Sequence, residues 1–204
     1  MSKLTRCAVI DPVLQATVDA YVVAERPGKW KKKPKPVPAF LKAIMVQGKA
    51  IQRDRCIWCT LPFGAIGRRT INRDHIAPSS EHPEWTFLAK NLALSCEYCN
   101  GFAVKRAIDT IRIKRAQYER CKFHIVHPYL DIVSDHIQFD GDDLALPVII
   151  KGITRKGRWT IKNIQLDTTV MTTLRAKEAF YANRHRYRLS QSEEDLLQAA
   201  LGAI

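Results

Sequence analysis

Apolar positions along the 204-residue chain recur first at helical spacing. Val13, Leu14, Val18, Tyr21 and Val22 fall on one face and predict a helix over 12–25. Asp11-Pro12 supplies its start: a carboxylate that accepts from first-turn N–H groups, then a residue whose missing donor costs nothing there. Pro27-Gly28 predicts its end. Phe40, Leu41, Ile44, Met45 and Ile51 predict a second helix over 38–53. Between the two stands Lys29-Trp30-Lys31-Lys32-Lys33-Pro34-Lys35-Pro36, a Pro-broken run that reads as an extended arm or linker. Ile108, Ile111, Ile113 and Tyr118, among several Arg, predict a helix over 107–121. From 137 to 164 the pattern turns β-like, with a short apolar run at 146–150 and turn signals at Asp140-Gly141-Asp142 and Lys156-Gly157. Helical spacing returns from Thr168 through Leu174, Ala176, Phe180 and Tyr181, with Arg184, Arg186 and Arg188 near its end. A last short helix then ends near Ile204. There is no internal repeat.

Charge sharpens this picture. Thirty-three Lys and Arg against 20 Asp and Glu leave +13, an excess that attracts polyanions, nucleic acid first among them. A basic solvated surface, or contact with ribosomal RNA or acidic lipid, is the plainer alternative. At 46% hydrophobic residues the chain has enough to build a core. No apolar segment follows the basic N-terminus, and no run of about 18 apolar residues occurs, so a cytoplasmic protein is expected. Thiols stay reduced there, and the six Cys are not read as three disulfides. Cys7 and Cys121 follow no pattern and read as small core hydrophobes.

The other four form two C-x-x-C pairs, Cys56/Cys59 and Cys96/Cys99. Each pair sets two thiolates at the tip of a tight turn, and two such turns complete a tetrahedron around a structural zinc. Cys96 stands 37 positions after Cys59, farther than the roughly 12 to 20 of common fingers and ribbons. The metal would therefore tie two distant segments and frame the insert between them. Four packed, metal-free cysteines are the alternative.

The insert carries Asp74-His75-Ile76-Ala77-Pro78 and Asn91-Leu92-Ala93-Leu94, and the second pair runs on through Asn100 to Lys105. Over residues 55–106 this order resembles the HNH endonuclease family: C-x-x-C, D-H-I-x-P, N-L-x-x-x-C-x-x-C-N, then Lys. The third motif position is Asn100 where many members have His. The resemblance implies an α+β fold. Its centre would be a ββα-metal (HNH, or His-Me finger) core with a four-cysteine zinc, surrounded by N- and C-terminal helices and a small β-hairpin region. Strand one would end at Asp74-His75, strand two begin near Asn91, and the helix open at Cys99-Asn100. Residues 1–54 would be N-terminal helices and the basic arm, 55–121 the nuclease core, and 122–204 a C-terminal α/β extension for partner or DNA contact.

Phosphodiester hydrolysis needs an activated water and a cation on the phosphate. His75 is the side chain there suited to act as base near neutral pH. Asp74 and Asn100 offer hard oxygens suited to Mg²⁺ or Mn²⁺. Within the resemblance, Asn91 would bond loop backbone and hold the His75 strand. Asp74 and His75 are neighbours, and neighbours on a regular strand face opposite ways, so a shared site requires the strand to end or bend there. Lys105 and Arg106 read as phosphate contacts or as a solvated face, and Lys31, Lys32 and Lys33 as phosphate contacts or a linker. His82 reads as a loop residue.

Downstream, His124, His127 and His136 with Asp131 and Asp135 suggest either a second metal site or a packed corner. The run His127-Pro128-Tyr129-x-Asp131, with His136-Ile137 and Asp140-Gly141 after it, looks like HNH subunits of Septu-type and retron-associated antiphage systems. That likeness implies an ABC-like ATPase partner, a retron-type complex, and gating of cleavage by the partner. The expected activity is metal-dependent endonucleolytic cleavage of DNA. A non-catalytic zinc module that binds nucleic acid, and an RNase on the same core, are the rivals.

Overall fold

The computed structural model describes residues 4–64, 70–101, 104–105, 108–139, 148–182 and 190–202. Arg106, the Asp140-Gly141-Asp142 turn, Leu146 and Pro147 of the 146–150 run, and Arg184, Arg186 and Arg188 lie outside the described residues.

Asp11 starts helix α1 (Pro12–Asp19), its carboxylate accepting from the N–H groups of Val13 and Leu14, both at 3.0 Å. The helix stops at Asp19 rather than at Glu25. There the Arg26 guanidinium donates to the carbonyls of Asp19 (2.6 Å), Tyr21 (3.2 Å) and Glu84 (2.9 Å), folding the chain back. The basic run is not an extended arm: Arg26–Lys32 is a helix, α2. Pro27 sits in its first turn, where no N–H is needed, and Lys33 ends it in the left-handed region at φ 53°. Pro34 then falls between helices and Pro36 opens α3 (Pro36–Gln52). The prolines therefore punctuate helices instead of unwinding one.

Val37, Phe40, Leu41 and Ile44 bury one stripe of α3, each worth about 1.5–3 kcal/mol if fully withdrawn from water. α3 also serves strand β2 (Leu92–Cys96): the Gln52 side chain donates to the Leu94 carbonyl (2.8 Å) and accepts from the Leu94 N–H (2.7 Å). β2 pairs antiparallel with β1 (Ile71–His75), Ile71 opposite Cys96 and His75 opposite Leu92. A single helical turn, α4 (Glu97–Asn100), follows β2 and packs against both strands.

The helix expected over 107–121 is absent. Residues 111–113 form β3 (Ile111–Ile113), paired with β4 (Lys122–Phe123), and a 3-10 turn covers Tyr118–Arg120. Polar side chains divert the backbone: Asp109 accepts from the Ile111 N–H (2.8 Å), and the Thr110 hydroxyl donates to the Ile76 carbonyl (2.8 Å). Strands β5 (Ile137–Phe139) and β6 (Ile150–Gly152) form a third two-stranded sheet. The β-like region then stops short, because Arg155–Ile164 is helix α5, capped by Thr154 accepting from the Gly157 N–H (3.1 Å). Gly157 marks close packing rather than a turn, since a Cβ there would lie 1.9 Å from the His136 carbonyl oxygen. Helices α6 (Thr169–Ala182) and α7 (Gln191–Gly202) complete the described chain. One continuous buried cluster runs from Ala8 and Val18 through Trp58 and Leu94 to Ile164 and Met171. No helix among the described residues is long and apolar enough to cross a membrane.

Candidate metal centre and active site

The first cysteine pair sits in a tight knuckle. Thr60 donates its N–H to the Cys56 carbonyl (3.0 Å) and takes a left-handed φ of 64°, and the Cys56 N–H bonds Leu61 (2.9 Å). The second pair lies where β2 passes into α4. The four sulfurs are buried and all within 4.8 Å of one another. Cys59 and Cys96 are 3.7 Å apart, and bonds of about 2.3 Å to a tetrahedral zinc place sulfurs about 3.8 Å apart. The Cys96 N–H also points at the Cys56 sulfur (3.3 Å).

Electrostatics agree with a cation site. Burial, then the neighbouring thiols, pushes Cys56 well above the ordinary range. Hydrogen bonds from Cys56 and Cys59 hold Cys99 up, while the same contacts pull Cys96 down. Thiols held up in this way give up their protons together only to a positive ion placed between them. The donor set fits zinc, which Cys56, Cys59, Cys96 and Cys99 would hold. A buried arginine faces the cluster from α6. Arg175 is 2% exposed and donates to the Val148 (2.8 Å) and Leu166 (2.6 Å) carbonyls; burial lowers its guanidinium from the ordinary range, and Cys59 and Cys99 offset part of that.

Trp58, inside the first knuckle, carries the metal centre into the hairpin. Its indole N–H donates to the Asp74 carboxylate at 2.7 Å. The other Asp74 oxygen is bonded by the Lys105 ammonium, which also bonds the His75 carbonyl. Lys105 is 2% exposed, so it is a buried ion-pair partner of Asp74 and not a surface phosphate contact. Asn100 ends α4, half-buried, and its amide makes no hydrogen bond to another described residue. Both Asp74 oxygens are engaged, one of them by an ammonium whose charge opposes a divalent ion beside it.

His75 leaves the strand on the other face, toward Thr86 and Trp30. Its Nε2 lies 3.0 Å from the Thr86 carbonyl, which only accepts, so Nε2 carries the proton and Nδ1 the open lone pair. Burial pushes the imidazole down to about 4. The Thr86 bond and Asp74 pull it back up in part, and Lys105 lowers it. The Trp30 ring centroid is 4.4 Å from that of His75. Trp30 belongs to α2, and the exposed Lys31, Lys32 and Lys33 follow it directly in the chain.

Asn91 is buried between the strands, its amide bonded to Ala77 and Trp85 backbone. His82 is buried in the loop, stacked on Trp85 and bonded to Asp109 at 2.9 Å. Downstream, His124 stacks on Trp159, His136 bonds the Thr154 hydroxyl (2.9 Å), and His127 is fully buried beside Tyr118 and Phe123. Trp30, Trp58, Thr86 and Arg175 escaped the motif reading; only the place of Trp58 inside a knuckle signals a role. Comparison with protein-family models gives no match for this chain, and comparison with curated proteins gives none.

Proposed function

We propose that the chain is an HNH-type endonuclease that hydrolyses phosphodiester bonds in DNA, with His75 as the general base. The observation that carries this reading is the state of His75. Its Nε2–H donates to the Thr86 carbonyl and its Nδ1 lone pair is open, on a hairpin end tied to a four-cysteine centre. An imidazole held neutral at ordinary pH has its lone pair available to take a proton from water as the oxygen attacks phosphorus and the sugar oxygen departs. Lys31, Lys32 and Lys33 beside Trp30 supply positive charge for the phosphate backbone. The resemblance assigns Mg²⁺ or Mn²⁺ to Asp74 and Asn100, and that assignment requires Lys105 to leave Asp74. The likeness of the His127-Pro128-Tyr129 run to antiphage HNH subunits supports an effector nuclease gated by an ABC-like ATPase.

The second reading is a non-catalytic zinc module that binds nucleic acid. The engagement of both Asp74 oxygens by Trp58 and Lys105 favours it. Supercoiled plasmid incubated with the protein and Mg²⁺ or Mn²⁺ decides between them. Nicking by wild type, abolished by EDTA and reduced at least about 100-fold in His75→Ala, is expected of the nuclease. Retained DNA binding with no cleavage, alone or with an ATPase partner, would leave the binding module. RNA cleaved in place of plasmid would move the substrate.

A further inference from the structure

The Asn91 amide uses its full capacity. Its oxygen accepts from the Ala77 N–H (2.7 Å) and the Tyr118 hydroxyl (2.8 Å), and its nitrogen donates to the carbonyls of Ala77 (3.0 Å) and Trp85 (3.1 Å). Asn91 thereby pins both ends of the loop between β1 and β2. Ala77 lies just past β1, and Trp85 precedes Thr86, whose carbonyl holds the His75 proton.

The Tyr118 hydroxyl has a second neighbour, His127 Nε2 at 2.9 Å. The Tyr129 N–H donates to His127 Nδ1 (3.2 Å), so the His127 proton is on Nε2 and goes to the Tyr118 oxygen. The Tyr118 proton in turn goes to Asn91. Each bond in the series therefore has one direction. Tyr118 is 3% exposed, and His127 and Asn91 are fully buried, so a lost partner is not replaced by water. The far end is anchored as well: Asp131 accepts from the His127 N–H (2.6 Å) and from Lys156 (2.5 Å). The Tyr129 hydroxyl donates to the carbonyl of Leu92 (2.8 Å), the residue opposite His75.

We propose that Tyr118 and His127 are positioning residues for His75. They hold Asn91, and through it the loop that carries Thr86, so that the imidazole keeps one tautomer with Nδ1 open. The proposal rests on the reading of His75 as the base.

The test is made on ¹⁵N-labelled full-length protein. Nitrogen shifts of the His75 ring report its tautomer, with His75→Ala assigning the signal, and plasmid nicking gives kcat and KM. Tyr118→Phe and His127→Leu break the series, whereas His127→Gln keeps an N–H donor at similar reach. In folded Tyr118→Phe and His127→Leu, the His75 ring is expected to lose its single tautomer. Their kcat should fall about 10-fold or more, with KM within about twofold of wild type. His127→Gln should keep both the tautomer and most of kcat. A folded Tyr118→Phe with wild-type tautomer and kcat would overturn the proposal. So would a His127→Gln as impaired as His127→Leu. If Tyr118→Phe does not fold, the two His127 variants decide on the same readouts. If wild type cleaves nothing, alone or with an ATPase partner, the nuclease reading falls, and the tautomer signal alone judges the series.

Discussion

Lys105 and Asp74 share a space of almost no exposure, closed on one side by the Trp58 indole. Removing Lys105 leaves a buried carboxylate with the Trp58 N–H as its one remaining partner. Lys105→Met is therefore expected to destabilise the fold by about 3–5 kcal/mol in thermal or urea unfolding. Mn²⁺ should raise the melting temperature of that variant more than that of wild type, because the Asp74 carboxylate is then free to accept a cation. A variant as stable as wild type would show that the pair contributes nothing. His127 gives a pH signature. Burial lowers it from 6.5 to about 3 in the fold. Below about pH 6.5 the unfolded chain takes up a proton that the native chain refuses until about pH 3, so stability falls as pH drops through that window. The slope is about 1.4 kcal/mol per pH unit for each such group. His75, lowered to about 4, adds a share between 6.5 and 4. Unfolding of His127→Gln should depend less steeply on pH from 6 to 4, and equal slopes would sink the assignment.

Elements that carry their own local signals were legible in the sequence. The start of α1 was written in Asp11-Pro12, the stripe of α3 in Phe40, Leu41 and Ile44, and α6 in its apolar spacing. Elements held by distant partners were not. β1 reads Ile71-Asn72-Arg73-Asp74-His75, four polar residues out of five, and owes its strand geometry to pairing with β2; only the family motif gave its end. The helix predicted over 107–121 gave way to Thr110 and Asp109, whose side chains bond Ile76 and the local backbone. α2 was missed because Pro27, Pro34 and Pro36 were counted as breakers without asking which turn of which helix each occupies. In the candidate site, the four-cysteine cluster was legible from type and spacing, and the bonds of Asn91 to loop backbone from the family resemblance. The pairing of Lys105 with Asp74 was not, since spacing does not say which way a side chain turns. Trp30 and Trp58 were invisible for a related reason, because tryptophan is so often core.

Among the described residues, one core joins the N-terminal helices and the 161–174 segment to the hairpin, and the four cysteines lie inside it. A metal there contributes folding free energy, on the order of 10–16 kcal/mol apparent in small zinc domains. One zinc per chain should be released by a strong chelator and read with a metallochromic dye. The melting temperature should drop by about 10 °C or more as it leaves. Protein that carries no zinc and melts unchanged with chelator would rule the centre out. The basic surplus of +13 belongs to this scale too, since it acts on a polyanion before any single contact forms.

The brace behind Asn91 limits how portable the motif is. Residues 55–106 hold the whole stretch that resembles the HNH pattern, with Asn100 in its third place, yet Tyr118, His127 and Tyr129, which grip the hairpin from behind, come later in the chain. A cassette cut at the signature and transplanted into another scaffold would arrive spelled correctly and unsupported. In this lineage, duplication and fusion would have to carry the downstream segment along with the signature.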